Sequence, residues 1–353
     1  MTMRLLFIRF SSIGDIVFTT PAIRCAKQQI PGVEIHFLTK AAMKAVTIGN
    51  PYIDQFHYFD KDLNATINQL KACNFDYIID LHKNYRTYQI QKALGVPSLS
   101  YEKLSLQKFL LTKLHLNFMP VRHIADRSLD ALSSLGVVND RKGLDYFIPK
   151  ETTINATVLP ASFESGYIAL VIGASYATKK LPLSALQNLC HKIPYPIVLI
   201  GGKEDEAQGA AVEAINPIKI WNACGKYNLN ESAILVKQAR TVISHDTGFL
   251  YIACAFHKKT VAIWGGTSPA LQVEPYYPTV QQESKKTLSA ETGLTILNKN
   301  EWYYNAIVPN LTCQPCSNYG TNHCPQGHFA CMQHQDLQSI ADKAIAYFKE
   351  TIE

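Results

Sequence analysis

Three turns of this 353-residue chain carry acids, lysines, hydroxyls and glycines directly behind short apolar runs. The first, Ser11-Ser12-Ile13-Gly14-Asp15, follows LLFIRF. Asp15 is the earliest carboxylate in the chain, and a glycine beside it lets a ligand approach the backbone closely. One chemistry for Asp15 is general-base removal of a proton from an acceptor hydroxyl. The other reading is an acid that caps a helix start. The second turn, Gly173-Ala174-Ser175-Tyr176-Ala177-Thr178-Lys179-Lys180-Leu181-Pro182, sets small and hydroxylated residues ahead of a lysine and a proline-started helix. That composition suits a phosphate cradle in which Lys179 neutralises a leaving diphosphate; a solvated lysine is the alternative. The third turn, Ser244-His245-Asp246-Thr247-Gly248, precedes the apolar run Phe249 to Phe256. Amides at the start of such a helix bind a pyrophosphate by hydrogen bonds and the helix dipole, unless Asp246 caps them. An acidic cap and an anion compete for the same donors, so the two readings exclude each other. Gly265-Gly266-Thr267-Ser268-Pro269 is a similar turn, expected to line the same cleft. The run Gly201-Gly202-Lys203-Glu204-Asp205-Glu206 ends in acids that suit ribose hydroxyls or simple solvation.

The elements that must position these turns read as alternating strands and helices, the signature of parallel sheets. Apolar runs predict strands at Leu5 to Arg9, Glu34 to Leu38 and Tyr77 to Leu81, then at Tyr167 to Ile172, Pro196 to Ile200, Thr241 to Ser244 and Thr260 to Trp264. A helix is expected over Ile16 to Gln28, with Pro21 in its early turns. In an open parallel sheet, ligands bind beyond the carboxyl ends of the strands, where every one of these turns falls. The expected fold class is therefore α/β, with two Rossmann-like domains. At 353 residues the chain exceeds the size at which single cores stop growing, about 250 residues. Pro149, Pro160 and Gly166 around a weakly periodic stretch suggest the break, giving domains at 1–158 and 159–334. Leu337, Ile340, Ala341, Ala344, Ile345 and Phe348 share one helical face, so 335–353 should be a docking helix.

Net charge is +6, and its placement is uneven: residues 1–158 carry 19 Lys and Arg against 13 Asp and Glu, the remainder 15 of each. The excess is densest from Lys83 to Arg127, where Arg86, Lys92, Lys103, Lys108, Lys113 and Arg122 face only Glu102 and Asp126. Such a stretch suits an anionic partner or is a solvated face. Nucleic acid is disfavoured, because no aromatic-basic RNA motif accompanies the charge. No run of about 18 uncharged apolar residues occurs, and the opening MTMRLLFIRF lacks a signal-peptide pattern; the expectation is a cytoplasmic protein. A nicotinamide-dependent oxidoreductase would need Gly-x-Gly-x-x-Gly after a strand, which is absent.

Gly14-Asp15 after two serines, the Lys179-Lys180-Leu181-Pro182 turn, Gly201-Gly202 followed by acids, and Asp246-Thr247-Gly248 before an apolar helix occur in this order in bacterial heptosyltransferases. Over nearly its whole length the chain resembles that glycosyltransferase family. The resemblance implies a GT-B fold and an inverting transfer of heptose from ADP-heptose to the inner core of lipopolysaccharide, with no metal in the chemistry. It implies Asp15 as general base and Lys179 on the donor diphosphate. Thr247 and Gly248 would bind that diphosphate by their amides, with Asp246 ordering the loop and Glu204 or Asp205 near the ribose. Gly14, Ser175 and Thr178 fall in the donor set. Ser11, Ser12, Lys83, Arg86 and Arg122 fall in the acceptor set, facing an anionic lipid-linked saccharide at the cytoplasmic face of the inner membrane. Two positions depart from the family: Tyr251 stands where a His is frequent, and Leu181 where a Trp precedes the proline. The rival readings are transfer from another nucleotide sugar, a nucleotide-sugar epimerase, and a non-catalytic module that binds anionic lipid.

Of nine cysteines, Cys25, Cys73, Cys190, Cys224 and Cys254 sit singly in apolar or helical surroundings. Cys313, Cys316, Cys324 and Cys331 cluster with His323, His328 and His334. A structural zinc, packed reduced thiols and a disulfide are the three open readings.

Overall fold

The structure, a computed structural model, describes residues 2–154, 159–278 and 302–351. The chain divides into two compact units. One comprises residues up to 103 together with 122–150; the other comprises 104–121 and the chain from 151 onward.

The first unit is built on five parallel strands, β1 (Arg4–Ile8), β2 (Glu34–Lys40), β3 (Gln55–Phe59), β4 (Tyr77–Asp80) and β5 (Ser98–Ser100), in the order β3-β2-β1-β4-β5. The second unit holds β6 (Ile168–Val171), β7 (Ile197–Ile200), β8 (Ile220–Asn222), β9 (Thr241–His245), β10 (Lys259–Ile263) and β11 (Tyr303–Ala306), all parallel, in the order β11-β10-β9-β6-β7-β8. Successive side chains of a strand point to opposite faces, and both faces are covered here. Ile168 and Leu170 pack into one core with Leu186, Leu189 and Ile340, whereas Ala169 and Val171 enter a second with Leu235 and Val236. Burial on both faces is why the central strands read as unbroken apolar runs.

The apolar runs predicted from sequence are the interior strands, displaced by a residue or two at their ends. The strands that the runs did not announce, β3, β5, β8 and β11, are the four sheet edges. The expected helix over residues 16–28 is two helices, Ile13–Val17 and Thr20–Gln29. Pro21 sits in the first turn of the second, where its missing amide has no intrahelical partner to lose. The terminal helix, Leu337–Glu350, buries Ile340, Ala344, Tyr347 and Phe348 in the core of the second unit, with Phe348 stacked on Tyr195 at 3.9 Å. Among the described residues, no helix is long and apolar enough to cross a membrane.

Each strand order reverses once, between β1 and β4 in the first sheet and between β6 and β9 in the second. At such a switch point the connections leave in opposite directions and open a crevice beyond the carboxyl ends.

Candidate functional site

In the first unit the crevice is bounded by the turns after β1 and β4. Asp15 lies in the first turn of the Ile13–Val17 helix, and its Oδ2 accepts from the amide and the hydroxyl of Ser12, at 3.0 and 2.9 Å. It thus reaches back to the residue before the helix, as in a capping box. Its Oδ1 pairs with Arg9 Nη2 at 2.8 Å, and the side chain stays 22% exposed. Arg9 comes from the tail of β1; it also donates to the carbonyls of Ser11 and Leu81 and lies 3.5 Å from the Tyr101 hydroxyl. Burial by itself raises the Asp15 carboxyl. The Arg9 guanidinium and the Ser12 donors outweigh it and hold the group below the usual carboxylate range. Asp15 is therefore an ionised acceptor in a fixed orientation. Across the switch point, His82 follows β4 and rests edge-on against Phe10. Burial, aided by the positive charges of Arg9 and Lys103, pulls His82 down to about 4. Gly14 is buried in the helix beneath Asp15.

The cations expected from the sequence to face an acceptor separate into distinct settings. Lys83 is exposed, with its amide held by Asp80 at 2.8 Å. Arg86 is exposed and lies over the Phe59 ring at 5.8 Å. Arg122 is gripped by both oxygens of Asp130, at 3.0 and 2.5 Å, which cancels much of its charge. Arg127 is buried and donates to the Glu102 carbonyl. The basic stretch is thus not one continuous face.

In the second unit the turns after β6 and β9 meet across the switch point. Lys179 Nζ lies 2.6 Å from Asp246 Oδ2 and 3.1 Å from the Asp246 carbonyl. Thr267 donates to the same Oδ2 at 2.7 Å, and the Tyr251 hydroxyl lies 2.7 Å from Oδ1. Tyr251 is also 3.0 Å from the Val273 carbonyl; its single proton serves one acceptor at a time, and the carboxylate is the stronger. Asp246 is only 6% exposed. Its oxygens are taken up by Lys179, Tyr251 and Thr267, so it orders the loop and does not cap the helix. Thr247, the residue before the Gly248–Ala255 helix, makes no capping bond either, and its buried Oγ1 has no partner. The leading amides of that helix have no acceptor within it, which leaves them open to an anion. The geometry of Asp246 thus removes the acidic-cap reading posed by the sequence.

Around this centre the remaining residues expected from the sequence to meet a donor divide by exposure. Ser175 is exposed. Thr178 is 1% exposed; its hydroxyl donates to the Thr321 carbonyl at 2.9 Å, and its carbonyl accepts from the Gly266 amide at 2.8 Å. Asp205 is also 1% exposed, paired with Lys180 at 2.6 Å and accepting from the Gly202 amide at 2.9 Å. A Cβ on Gly173 would sit 2.5 Å from an Asp205 oxygen, so that glycine makes room for the acid. Glu204, beside it, is exposed. His245 is wholly buried and accepts from the Leu181 amide at 3.0 Å. Burial holds it neutral, down to about 3.

The cysteine-rich segment backs this site. Gln314 Nε2 donates to the carbonyls of Trp264, Gly265 and Thr267, and the amides of Cys316 and Ser317 donate to the Gly266 carbonyl. Thr321 is tied to Thr178, and Gly320 packs against Tyr176 and the Lys179 stem. All nine cysteines are free thiols. Cys313 Sγ lies 3.7 Å from His328 Nε2. Burial, with the neighbouring thiols, pushes Cys331 up to about 12. Cys313, Cys316, Cys324 and Cys331 do not form a converging donor set, since the described group with donors all within 4.8 Å of one another lies elsewhere. Arg9, His82 and Gln314 were not singled out as site residues in the sequence, and Thr267 only as part of the Gly265 to Pro269 turn. Arg9, in the tail of an apolar strand, carried the clearest signal, because a cation there must find a partner.

The model of glycosyltransferase family 9 (heptosyltransferase) matches residues 64–302. Lipopolysaccharide heptosyltransferase 1 of Pseudomonas aeruginosa is 21% identical over 294 residues, 76% of this chain and 80% of the relative. E. coli heptosyltransferase WaaC, solved with ADP, superposes with a TM-score of 0.62 at 20% identity, covering 78% of this chain and 91% of the other. E. coli ADP-heptose lipopolysaccharide heptosyltransferase II gives 0.67 at 13% identity, covering 99% and 100%. The fold is of the GT-B type, and the chain belongs to glycosyltransferase family 9, the heptosyltransferases, and is a glycosyltransferase.

Proposed function

We propose that the chain transfers a heptose from ADP-heptose to a hydroxyl of the lipopolysaccharide inner core with inversion at the anomeric carbon. The observation that carries this reading is the uncapped start of the Gly248–Ala255 helix beside a lysine, in a loop whose own acid is fully engaged. The named relatives act in lipopolysaccharide assembly, and a neighbour was solved with ADP. In the transfer, the acceptor oxygen attacks the anomeric carbon as its bond to the diphosphate breaks, and Asp15 takes the acceptor proton. The leaving oxygen keeps the bonding pair. Its charge is met by Lys179 and by the amides of Thr247 and Gly248, so the departing group needs no proton. Arg9 and Ser12 hold Asp15 in one orientation, Gly14 keeps the backbone close, and Ser11 and Ser12 border the acceptor. Glu204 serves the ribose, Asp205 and Thr178 serve the scaffold, and Ser175 borders the phosphates. Lys83 and Arg86 meet acidic groups of the acceptor, Arg122 only weakly.

The same reading places the protein in the cytoplasm with a peripheral contact to the inner membrane. Residues 104–121 support that contact. Leu104, Leu111 and Met119 anchor the segment in a buried cluster with Leu271, while Leu106, Phe109, Leu114, Leu116, Phe118 and Val121 are exposed with Lys113 nearby. An exposed apolar row with cations suits an anionic lipid surface.

The test is a screen of ADP-, GDP- and UDP-linked heptoses and hexoses with a lipid-linked acceptor. Inverted transfer confined to the ADP-heptose supports the proposal. Transfer only from another nucleotide sugar, or interconversion of the donor without transfer, overturns it.

A further inference from the structure

At the opposite, amino-terminal end of the first sheet, three side chains with no part in the transfer converge. His36 on β2, His57 on the edge strand β3 and Cys73 between the Leu63–Lys71 helix and β4 each offer one donor atom, all within 4.8 Å of one another. His36 Nδ1 lies 2.8 Å from His57 Nε2. The two rings stack at 5.1 Å with 18° between their planes, and Phe75 closes over them edge-on. The other nitrogen of His36, Nε2, lies 2.9 Å from Glu34 Oε1, and Arg4 in turn holds Glu34 at 2.9 Å. Glu34 therefore fixes the His36 proton on Nε2 and leaves the Nδ1 lone pair directed at His57, with the Cys73 thiol among the three donors within 4.8 Å of one another. A carboxylate behind a histidine whose free nitrogen faces other soft donors is the usual outer arrangement of a transition-metal ligand.

We infer that His36, His57 and Cys73 form a binding site for a transition-metal cation of the zinc class, with Glu34 as the outer partner of His36. Two imidazoles and a thiolate suit Zn(II), with a fourth position left for water. Metal–donor bonds of about 2.0–2.3 Å in a tetrahedron set the donors roughly 3.3–3.6 Å apart. The histidine nitrogens thus separate by about half an ångström on binding, and Cys73, half-buried at a helix end, moves in. His57 carries its proton on Nε2 when it donates to His36; on metal binding that proton sits on Nδ1. Cys73 releases one proton, so uptake weakens as pH falls. The bound ion would pin edge strand β3 and the end of the Leu63–Lys71 helix to the sheet.

The test is a Co(II) titration of the reduced full-length chain, read by metal content after desalting and by the thiolate-to-cobalt charge-transfer band. Cys73→Ser and His57→Gln should each lose one cobalt per chain. Cys313→Ser/Cys316→Ser should retain the equivalent, which separates this site from the carboxy-terminal thiols. Glu34→Gln keeps an acceptor without the charge and should weaken the affinity about 10-fold. Cys73→Ser exchanges one atom on a half-buried side chain, and thermal melts confirm that the variants are folded. Wild-type cobalt content in both Cys73→Ser and His57→Gln overturns the inference, as does loss of all cobalt in Cys313→Ser/Cys316→Ser.

Discussion

Replacing Lys179 by Met removes the ammonium that stands 2.6 Å from Asp246 Oδ2 and leaves Asp246 with its two hydroxyl partners. A unit charge about 4 Å from a phosphate oxygen, at an effective dielectric of about 20, contributes about 4 kcal/mol. The lysine already pairs with Asp246, so part of that attraction is offset in the free protein; a net loss of about 2–4 kcal/mol remains, which is roughly 30- to 1000-fold in affinity. Removing the cation also leaves Asp246 as a nearly buried anion beside the diphosphate, which acts in the same direction. Titration calorimetry with ADP should show this loss. Lys179→Met/Asp246→Asn should recover part of it, because the like charge has gone too. Lys179→Arg should bind ADP less well than wild type despite keeping the charge, because a planar fork does not fit the space of an ammonium. An ADP dissociation constant for Lys179→Met within about threefold of wild type, in a protein that melts cooperatively, would refute the assignment of Lys179 to the diphosphate.

Tyr251→Phe deletes the hydroxyl that meets Asp246 Oδ1; a buried acceptor losing one donor costs about 1–3 kcal/mol, so the melting temperature should fall and the donor KM rise, whereas an unchanged donor KM would separate Tyr251 from the donor loop. His245, His82 and His57 are held at about 3, 4 and 4, below the ordinary value near 6.5. Between these values the unfolded chain binds more protons than the folded one, so stability is full above about pH 6.5 and falls as pH drops toward 3. Urea midpoints measured from pH 7 to pH 4 should decline, and the His245→Asn series should decline less steeply; parallel series would remove His245 from the acid response. Acceptor affinity should weaken with added salt, and Lys83→Ala/Arg86→Ala should flatten that dependence far more than Arg122→Ala, whose charge Asp130 already meets.

Interior strands such as β6 and β7 were legible because both of their faces are buried, which leaves an uninterrupted apolar run. The edge strands were not: Gln55–Phe59 mixes polar and aromatic residues at half-buried positions, and Ser98–Ser100 has barely one apolar side chain. The polar turns announced themselves through their place after strands. Which of their acids remain available did not. Asp205 looks like its neighbour Glu204 in sequence, and only the close approach permitted by Gly173 and Gly201 shows it buried against Lys180. Arg122 looked free because its partner, Asp130, lies just beyond the end of the basic run. The support that Gln314 gives to the turn after β10, and Thr321 to the turn after β6, spans 49 and 143 residues of chain, a separation no local pattern encodes. The grouping of residues 104–121 with the second unit was likewise invisible, since it follows from Leu104, Leu111 and Met119 meeting Leu271.

The account turns most directly on Asp15, the ionised carboxylate set between Arg9 and Ser12. Transfer from ADP-heptose to a lipid-linked acceptor should be measured for Asp15→Asn at saturating substrates, with ADP affinity followed in parallel. Loss of the base predicts turnover reduced about a hundredfold or more, with ADP binding near wild type and a melt that stays cooperative but shifts down, because Arg9 loses its anionic partner. Turnover within about threefold of wild type would contradict the account.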